Sequence, residues 1–153
     1  MKIATKNNES KWITGERSRK LTHLYRMQSD AVMIGSRTAI IDDPSLNVRH
    51  IASNQQPARI IIDSTLKTPL TSKIFQSANK FKTIICCAHN VDNSLVSTWI
   101  NQGSEIIKCK TKMDGKIDLT DAMKHLSTIG INNIFCEGGA SLATSLIKED
   151  LID

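Results

Sequence analysis

Apolar positions along the chain follow two rhythms, one helical and one of continuous short runs. Leu21, Leu24 and Met27 recur at steps of three behind Thr14 and Gly15-Glu16-Arg17, which predicts an amphipathic helix capped by Thr14 and running to about Gln28. After Ser29-Asp30, the run Ala31-Val32-Met33-Ile34-Gly35 is apolar throughout and closed by glycine, the form of a strand buried on both faces. The same form returns in Ala58-Arg59-Ile60-Ile61-Ile62, which stops at Asp63-Ser64, and in Lys82-Thr83-Ile84-Ile85-Cys86-Cys87-Ala88. Asn93 to Asn101 reads as a short helix with Leu95, Val96 and Trp99 on one side, and Ser104 to Lys108 as a fourth strand. Asp118 caps a further helix through Thr128, with Leu119, Ala122, Met123, Leu126 and Ile129 inward and Gly130 at its end. Asn133-Ile134-Phe135-Cys136 is the last strand, and Glu137-Gly138-Gly139-Ala140-Ser141 turns from it into a helix over Leu142 to Lys148. Between the first two strands, Ser36 to Arg49 mixes turn residues with Ile40 and Ile41 and contains Asp42-Asp43-Pro44, which predicts a structured loop. Strands alternating with helices predict an α/β domain, its sheet largely parallel and covered on both faces.

Composition narrows the class without changing that outline. A chain of 153 residues, 40% hydrophobic and 23% charged, makes one globular domain with a packed core and excludes a fibrous or disordered chain. No apolar run is long enough to cross a bilayer, and Met1-Lys2-Ile3-Ala4-Thr5-Lys6-Asn7-Asn8 lacks the apolar centre of a signal peptide, so a cytoplasmic protein is expected. The net charge of +5 is spread over dispersed residues such as Arg17, Arg26, Arg49 and Lys80, with few aromatics beside them, which argues against a nucleic-acid partner. Cys86, Cys87, Cys109 and Cys136 form no C-x-x-C pair and are expected as reduced core thiols. The histidines His23, His50, His89 and His125 form no metal signature, and no G-x-S-x-G elbow is present, so metal-assisted hydrolysis and acyl transfer have no starting point.

Three stretches carry candidate chemistry. Glu137-Gly138-Gly139-Ala140-Ser141-Leu142 stands where a strand gives way to a helix. Glycine there lets backbone N–H groups approach an anion, and the helix start adds partial positive charge, so a phosphate would be held; a plain tight turn is the alternative. Ser10-Lys11-Trp12-Ile13-Thr14-Gly15 places a tryptophan just ahead of a helix, able to stack on a heterocycle or to close the helix's apolar edge. Gly35-Ser36-Arg37-Thr38 and Asp42-Asp43-Pro44-Ser45-Leu46-Asn47-Val48-Arg49 follow the carboxyl end of a strand, where parallel sheets bind ligands.

Taken in order, these three stretches with Asp30-Ala31-Val32-Met33-Ile34, Arg59-Ile60-Ile61-Ile62-Asp63-Ser64 and Gly130-Ile131-Asn132-Asn133-Ile134 resemble the reductase domain of riboflavin biosynthesis over nearly the whole chain. The resemblance implies a dihydrofolate-reductase-like fold and NADPH-dependent reduction of 5-amino-6-(5-phosphoribosylamino)uracil, with hydride delivered to the sugar C1 as the ribose opens. It places Trp12, Thr38, Asp42, Ser64 and Gly139, Ala140, Ser141, Leu142, Ala143, Thr144 and Ser145 at the cofactor. It places Ser10, Arg26, Leu46, Arg49 and Glu137 at the substrate, with Arg26 and Arg49 suited to its phosphate. No residue is marked as the proton donor, although Glu137 stands in the right motif.

Against the family pattern, the chain begins inside the strand that carries a Ser-Leu-Asp-Gly-like stretch and stops at Leu151-Ile152-Asp153, where further strands would follow. An incomplete reductase domain spanning 1–153, without a deaminase domain, is therefore expected, with reduced or no turnover. The rival readings are an inactive nucleotide-binding fragment and a dihydrofolate-reductase-like enzyme acting on another heterocycle. The family's reductase domains commonly pair, so a homodimer is an expectation carried by the resemblance.

Overall fold

A computed structural model describes residues 15–153. Eleven elements follow one another: α1 (Glu16–Gln28), β1 (Ala31–Gly35), α2 (Ser36–Asp42), β2 (Ala58–Ile62), α3 (Lys73–Gln76), β3 (Thr83–Ala88), α4 (Asn93–Asn101), β4 (Glu105–Cys109), α5 (Leu119–Thr128), β5 (Ile134–Gly138) and α6 (Ala140–Lys148). The strands form one sheet in the order β4-β3-β2-β1-β5, and every pairing is parallel. The chain builds outward from β1 through β2 and β3 to β4, then crosses back to add β5 on the other side of β1. That reversal opens a crevice at the carboxyl ends of β1 and β5.

Alternation along the strands divides the core in two. Ala31, Met33, Ile60, Ile84 and Cys86 face Ala122 and Leu126 of α5 and Leu142 and Leu146 of α6. Their neighbours Val32, Ile34, Ile61, Ile85 and Cys87 face Ala39 of α2, Ile74 and Phe75 of α3 and Trp99 of α4. With apolar layers on both faces, the strands must be apolar throughout, and the continuous runs of the sequence follow from that. Among the described residues, the one buried strand position that carries a charged side chain is Arg59, 1% exposed. Its guanidinium reaches the Thr83 and Ser77 hydroxyls and the carbonyls of Ser45, Ile74 and Phe81, and burial pulls its pKa down to about 10.

Several expectations are corrected. Ser36 to Asp42 is the helix α2 rather than a loop, and it stops at Asp43, which adopts a left-handed φ of 39° just ahead of Pro44. On α1 the inward positions are His23 and Arg26, whereas Leu21 and Leu24 are exposed. The helix buries polar groups because each finds a polar partner across the fold. Ile129 and Leu95 are exposed rather than inward. In α5 the C-cap falls on Ile129, which turns the chain out before Gly130. Thr14, the expected cap of α1, lies outside the described residues, and Gly15 holds the N-cap position. The short helix α3 was not anticipated; Ser72 caps it by accepting from the Phe75 N–H. All four cysteines are free thiols, as expected, three of them buried.

Candidate active site

A cleft of about 560 Å³ lies over the carboxyl ends of β1, β2 and β5. One wall is the start of α2, with Ser36, Arg37, Thr38, Ile41 and Asp42 following Gly35. Opposite stands the start of α6, with Gly139, Ala140, Ser141, Leu142 and Ser145. Ile62, Ser64 and Lys67 close the β2 side, and Lys116 and Ile117 lean in from the connection between β4 and α5, with Leu119 from the start of α5.

The turn from β5 into α6 is built for close approach. Gly138 and Gly139 have φ of 149° and 94°, a backbone that side chains rarely adopt. A Cβ at Gly139 would lie 3.2 Å from the Thr38 hydroxyl oxygen, so the two walls meet across bare backbone. With Gly139 at the N-cap, no side chain caps α6. Its first N–H groups are therefore available to an anion, reinforced by the helix dipole. The volume falls in the ordinary range for small-molecule sites.

Ser64 and Lys67 project from a turn held on the inside by Asp63. The Asp63 carboxylate is fully buried; Oδ2 accepts from the Thr68 N–H at 2.8 Å and from the Thr68 hydroxyl at 2.7 Å. Its other oxygen, Oδ1, has no hydrogen-bond partner among the described residues. The Ser64 carbonyl accepts from the Ala88 N–H at 3.1 Å, which ties the turn to β3.

A second cluster adjoins the Gly138-Gly139 turn. Arg26 of α1 forms a two-pronged ion pair with Glu137, through Nε to Oε1 and through Nη2 to Oε2 at 2.6 Å, and its Nη1 donates to the Asn47 carbonyl at 2.7 Å. Glu137 sits at a register shift where β5 slips against β1 beyond Met33, which lets its side chain leave the regular alternation. Leu46 is buried in the core with φ of 54°, and exposed Arg49 donates through Nη1 to the Asn47 side chain at 3.2 Å. The Arg49 N–H donates to Nδ1 of His23 at 3.3 Å, and the His23 ring meets that of His50 edge to face. Burial first, then the charges of Arg26, His50 and Arg49, push the His23 pKa down to about 4.

The structure thus gathers Thr38, Asp42, Ser64, Gly139, Ala140, Ser141, Leu142 and Ser145 around one cleft, while Ala143 and Thr144 do not line it. Arg26, Leu46, Arg49 and Glu137 belong to the adjoining cluster, where the fork of Arg26 is taken by Glu137 and only Arg49 presents an exposed guanidinium. Ser10 and Trp12 lie outside the described residues. Sequence reasoning missed Lys67 and Lys116. Lys67 stands three residues after Ser64 on the same turn, and that spacing was the available signal. No group of three or more His, Cys, Asp or Glu able to hold a metal occurs among the described residues. No helix among them is long and apolar enough to cross a membrane. Burial pushes the Cys87 thiol up to about 11 and raises Cys136 as well, as for unreactive core thiols.

Known proteins share this chain's sequence and fold. A riboflavin biosynthesis protein RibD from Actinobacillus pleuropneumoniae is 35% identical over 152 residues, covering 99% of this chain and 40% of its own length. A 2,5-diamino-6-ribosylamino-4(3H)-pyrimidinone 5′-phosphate reductase from Methanothermobacter thermautotrophicus is 29% identical, covering 99% of this chain and 68% of its own length. Among solved structures, Acinetobacter baumannii RibD superposes with a TM-score of 0.78 at 28% identity, covering 98% of this chain and 39% of that one. The chain spans about two fifths of the length of the RibD proteins it matches. The dihydrofolate-reductase-like fold implied by the sequence is borne out. Residues 2–153 match the RibD C-terminal domain, and the chain belongs to that family.

Proposed function

We propose that the chain is a nicotinamide-dependent reductase of riboflavin biosynthesis, taking NADPH as cofactor and 5-amino-6-(5-phosphoribosylamino)uracil as substrate. One observation carries the reading: a cleft at the topological switch of a parallel sheet, with the uncapped start of α6 on one wall and Ser64 and Lys67 on another. The relatives named as riboflavin-pathway proteins and pyrimidine reductases supply the substrate class.

In this reading the N–H groups at the start of α6 hold the pyrophosphate, and Thr38 packs on the Gly139 backbone to fix the turn. Ser64 and Lys67 take the 2′-phosphate that distinguishes NADPH from NADH. The cofactor when bound supplies hydride, and the protein's share is to orient the acceptor carbon and exclude water. Arg49 meets the substrate phosphate with its exposed guanidinium, while Arg26 and Glu137 hold the Asn47 to Arg49 segment in place. With both oxygens engaged by Arg26, Glu137 acts as a positioning group rather than a free acid.

The test is titration of the purified chain with NADPH and NADH, followed by cofactor fluorescence and thermal midpoint, and then addition of the phosphoribosylaminouracil while nicotinamide absorbance is followed. Saturable NADPH binding, a raised midpoint and substrate-dependent oxidation are expected. A cooperatively folded chain that binds neither cofactor overturns the reading, and binding without oxidation leaves a nucleotide-binding module.

A further inference from the structure

The β2 side of the cleft joins an apolar floor to a cationic edge. Ile62 packs against the apolar cluster that contains Ile117 and Leu119, so three lining residues from separate parts of the chain share one surface. The chain sets a polar group beside that surface from both directions: Ser64 and Lys67 follow Ile62, and Lys116 precedes Ile117. Among the described residues that line the cleft, Asp42 on the α2 wall is the sole acid. An apolar surface edged by ammonium and hydroxyl groups favours an anion at its rim.

Lys116 owes its place to a short hairpin. Thr111 and Ile117 form an antiparallel bridge, the Lys112 N–H donates to the Lys116 carbonyl at 2.8 Å, and Gly115 makes the turn with φ of 76°. Buried Ile117 anchors one side, and on the other the Lys112 ammonium reaches the carboxylate of Glu149, at the end of α6, at 2.5 Å. The backbone of Lys116 is thereby fixed at the cleft wall. Its ammonium is held far less firmly. It meets the Asp114 carboxylate at 2.7 Å, but the two side chains are 65% and 52% exposed, and a pair so open to water contributes little. The other Asp114 oxygen accepts from the Lys116 N–H at 3.1 Å, so the carboxylate keeps a partner when the ammonium turns away.

We infer that Lys116 is a specificity-determining residue, whose ammonium leaves Asp114 to join Ser64 and Lys67 on the 2′-phosphate of NADPH. A phosphate carrying more than one negative charge at neutral pH is a stronger partner than a single exposed carboxylate. NADH, with a hydroxyl in that place, offers nothing to draw the ammonium away. The inference rests on the reading of the cleft as an NADPH site and adds to it a residue from a second loop.

The experiment measures dissociation constants for NADPH and for NADH by cofactor fluorescence at one fixed ionic strength, on wild type and variants whose ligand-free thermal midpoints confirm folding. Lys116→Met keeps the stem and removes the ammonium. It is expected to weaken NADPH about 5- to 10-fold and to leave NADH within about twofold. Lys110→Met removes the same charge from an exposed lysine nearby that does not line the cleft, and is expected to leave both constants within about twofold. Asp114→Asn removes the competitor, and is expected to tighten NADPH about two- to threefold with NADH unchanged. Equal weakening of both cofactors by Lys116→Met, an unchanged preference, or the same loss from Lys110→Met overturns the inference. Asp114→Asn reads it independently if Lys116→Met does not fold, and NADPH binding that fails to tighten there overturns it too. Wild type that folds but shows no preference for NADPH overturns the parent reading, an outcome distinct from a preference that Lys116→Met leaves intact.

Discussion

Arg26 and Glu137, 111 positions apart in sequence, meet as a two-pronged ion pair whose side chains are only 9% and 14% exposed. The pair joins α1 to the shifted register of β5, and the third contact of Arg26, on the Asn47 carbonyl, adds the segment that ends in Arg49. Removing one partner strands the other charge in a place largely without water. Arg26→Ala or Glu137→Ala is expected to cost about 3 kcal/mol of stability in urea denaturation, and the double substitution less than the sum of the two singles.

Gly139 is held by its conformation and by its neighbour together. With φ of 94° and Thr38 3.2 Å from the place a Cβ would occupy, Gly139→Ala strains the turn and pushes the walls of the cleft apart. NADPH affinity is expected to fall about tenfold or more, as read by fluorescence titration. Gly130, also at positive φ with open space around it and remote from the cleft lining, serves as the control, and Gly130→Ala is expected to leave NADPH affinity unchanged.

His23 links acidity to the segment carrying Arg49. Its folded pKa near 4 lies below the ordinary 6.5, because burial and the charges of Arg26, His50 and Arg49 all oppose the imidazolium. Between those two values the unfolded chain takes up the proton first, so His23's share of stability is fully present above the unfolded pKa and is lost as pH falls toward about 4. Protonation also turns Nδ1 into a donor, which breaks its bond from the Arg49 N–H. Urea midpoints of wild type and His23→Gln, measured from neutral pH downward, are expected to converge or cross on acidification; parallel curves would remove His23 from the linkage.

Arg59 is a buried cation that meets only neutral acceptors. Five groups, three carbonyls and two hydroxyls, receive its donors at the amino end of β2. An ammonium reaches fewer of them. Arg59→Lys is expected to cost about 2 kcal/mol and Arg59→Met about 3 kcal/mol or more in urea denaturation. Hydrogen exchange is expected to quicken around Ser45, whose carbonyl is among those released.

What the sequence disclosed and what it hid have separate physical causes. The runs at Ala31, Ala58 and Thr83 were legible as strands because a parallel strand covered on both faces has no polar side. The glycine turn after β5 was legible because its residues need conformations open chiefly to glycine. α2 was hidden because its seven residues complete barely two turns and run straight into Asp42-Asp43-Pro44, whose turn chemistry masks them. The inward face of α1 was read in reverse because its buried positions are charged or titratable, and the partners that make this tolerable, Glu137 and the Arg49 amide, are distant in sequence. Lys67 went unseen for a similar reason: nothing beside it marks the direction it faces until Asp63 and Thr68 close the turn.

The place of β1 at the heart of the sheet has a consequence for the making of the protein. The cleft needs α2, which follows directly on β1, and α6, which follows β5, and these walls are about a hundred residues apart in the chain. No intermediate that has zipped β1 through β4 but has not yet docked β5 possesses the complete cleft, however well ordered it is. On the proposed reading of the cleft, cofactor present during folding favours the finished sheet alone, and acquisition of nucleotide binding marks the moment at which the last strand has found its edge.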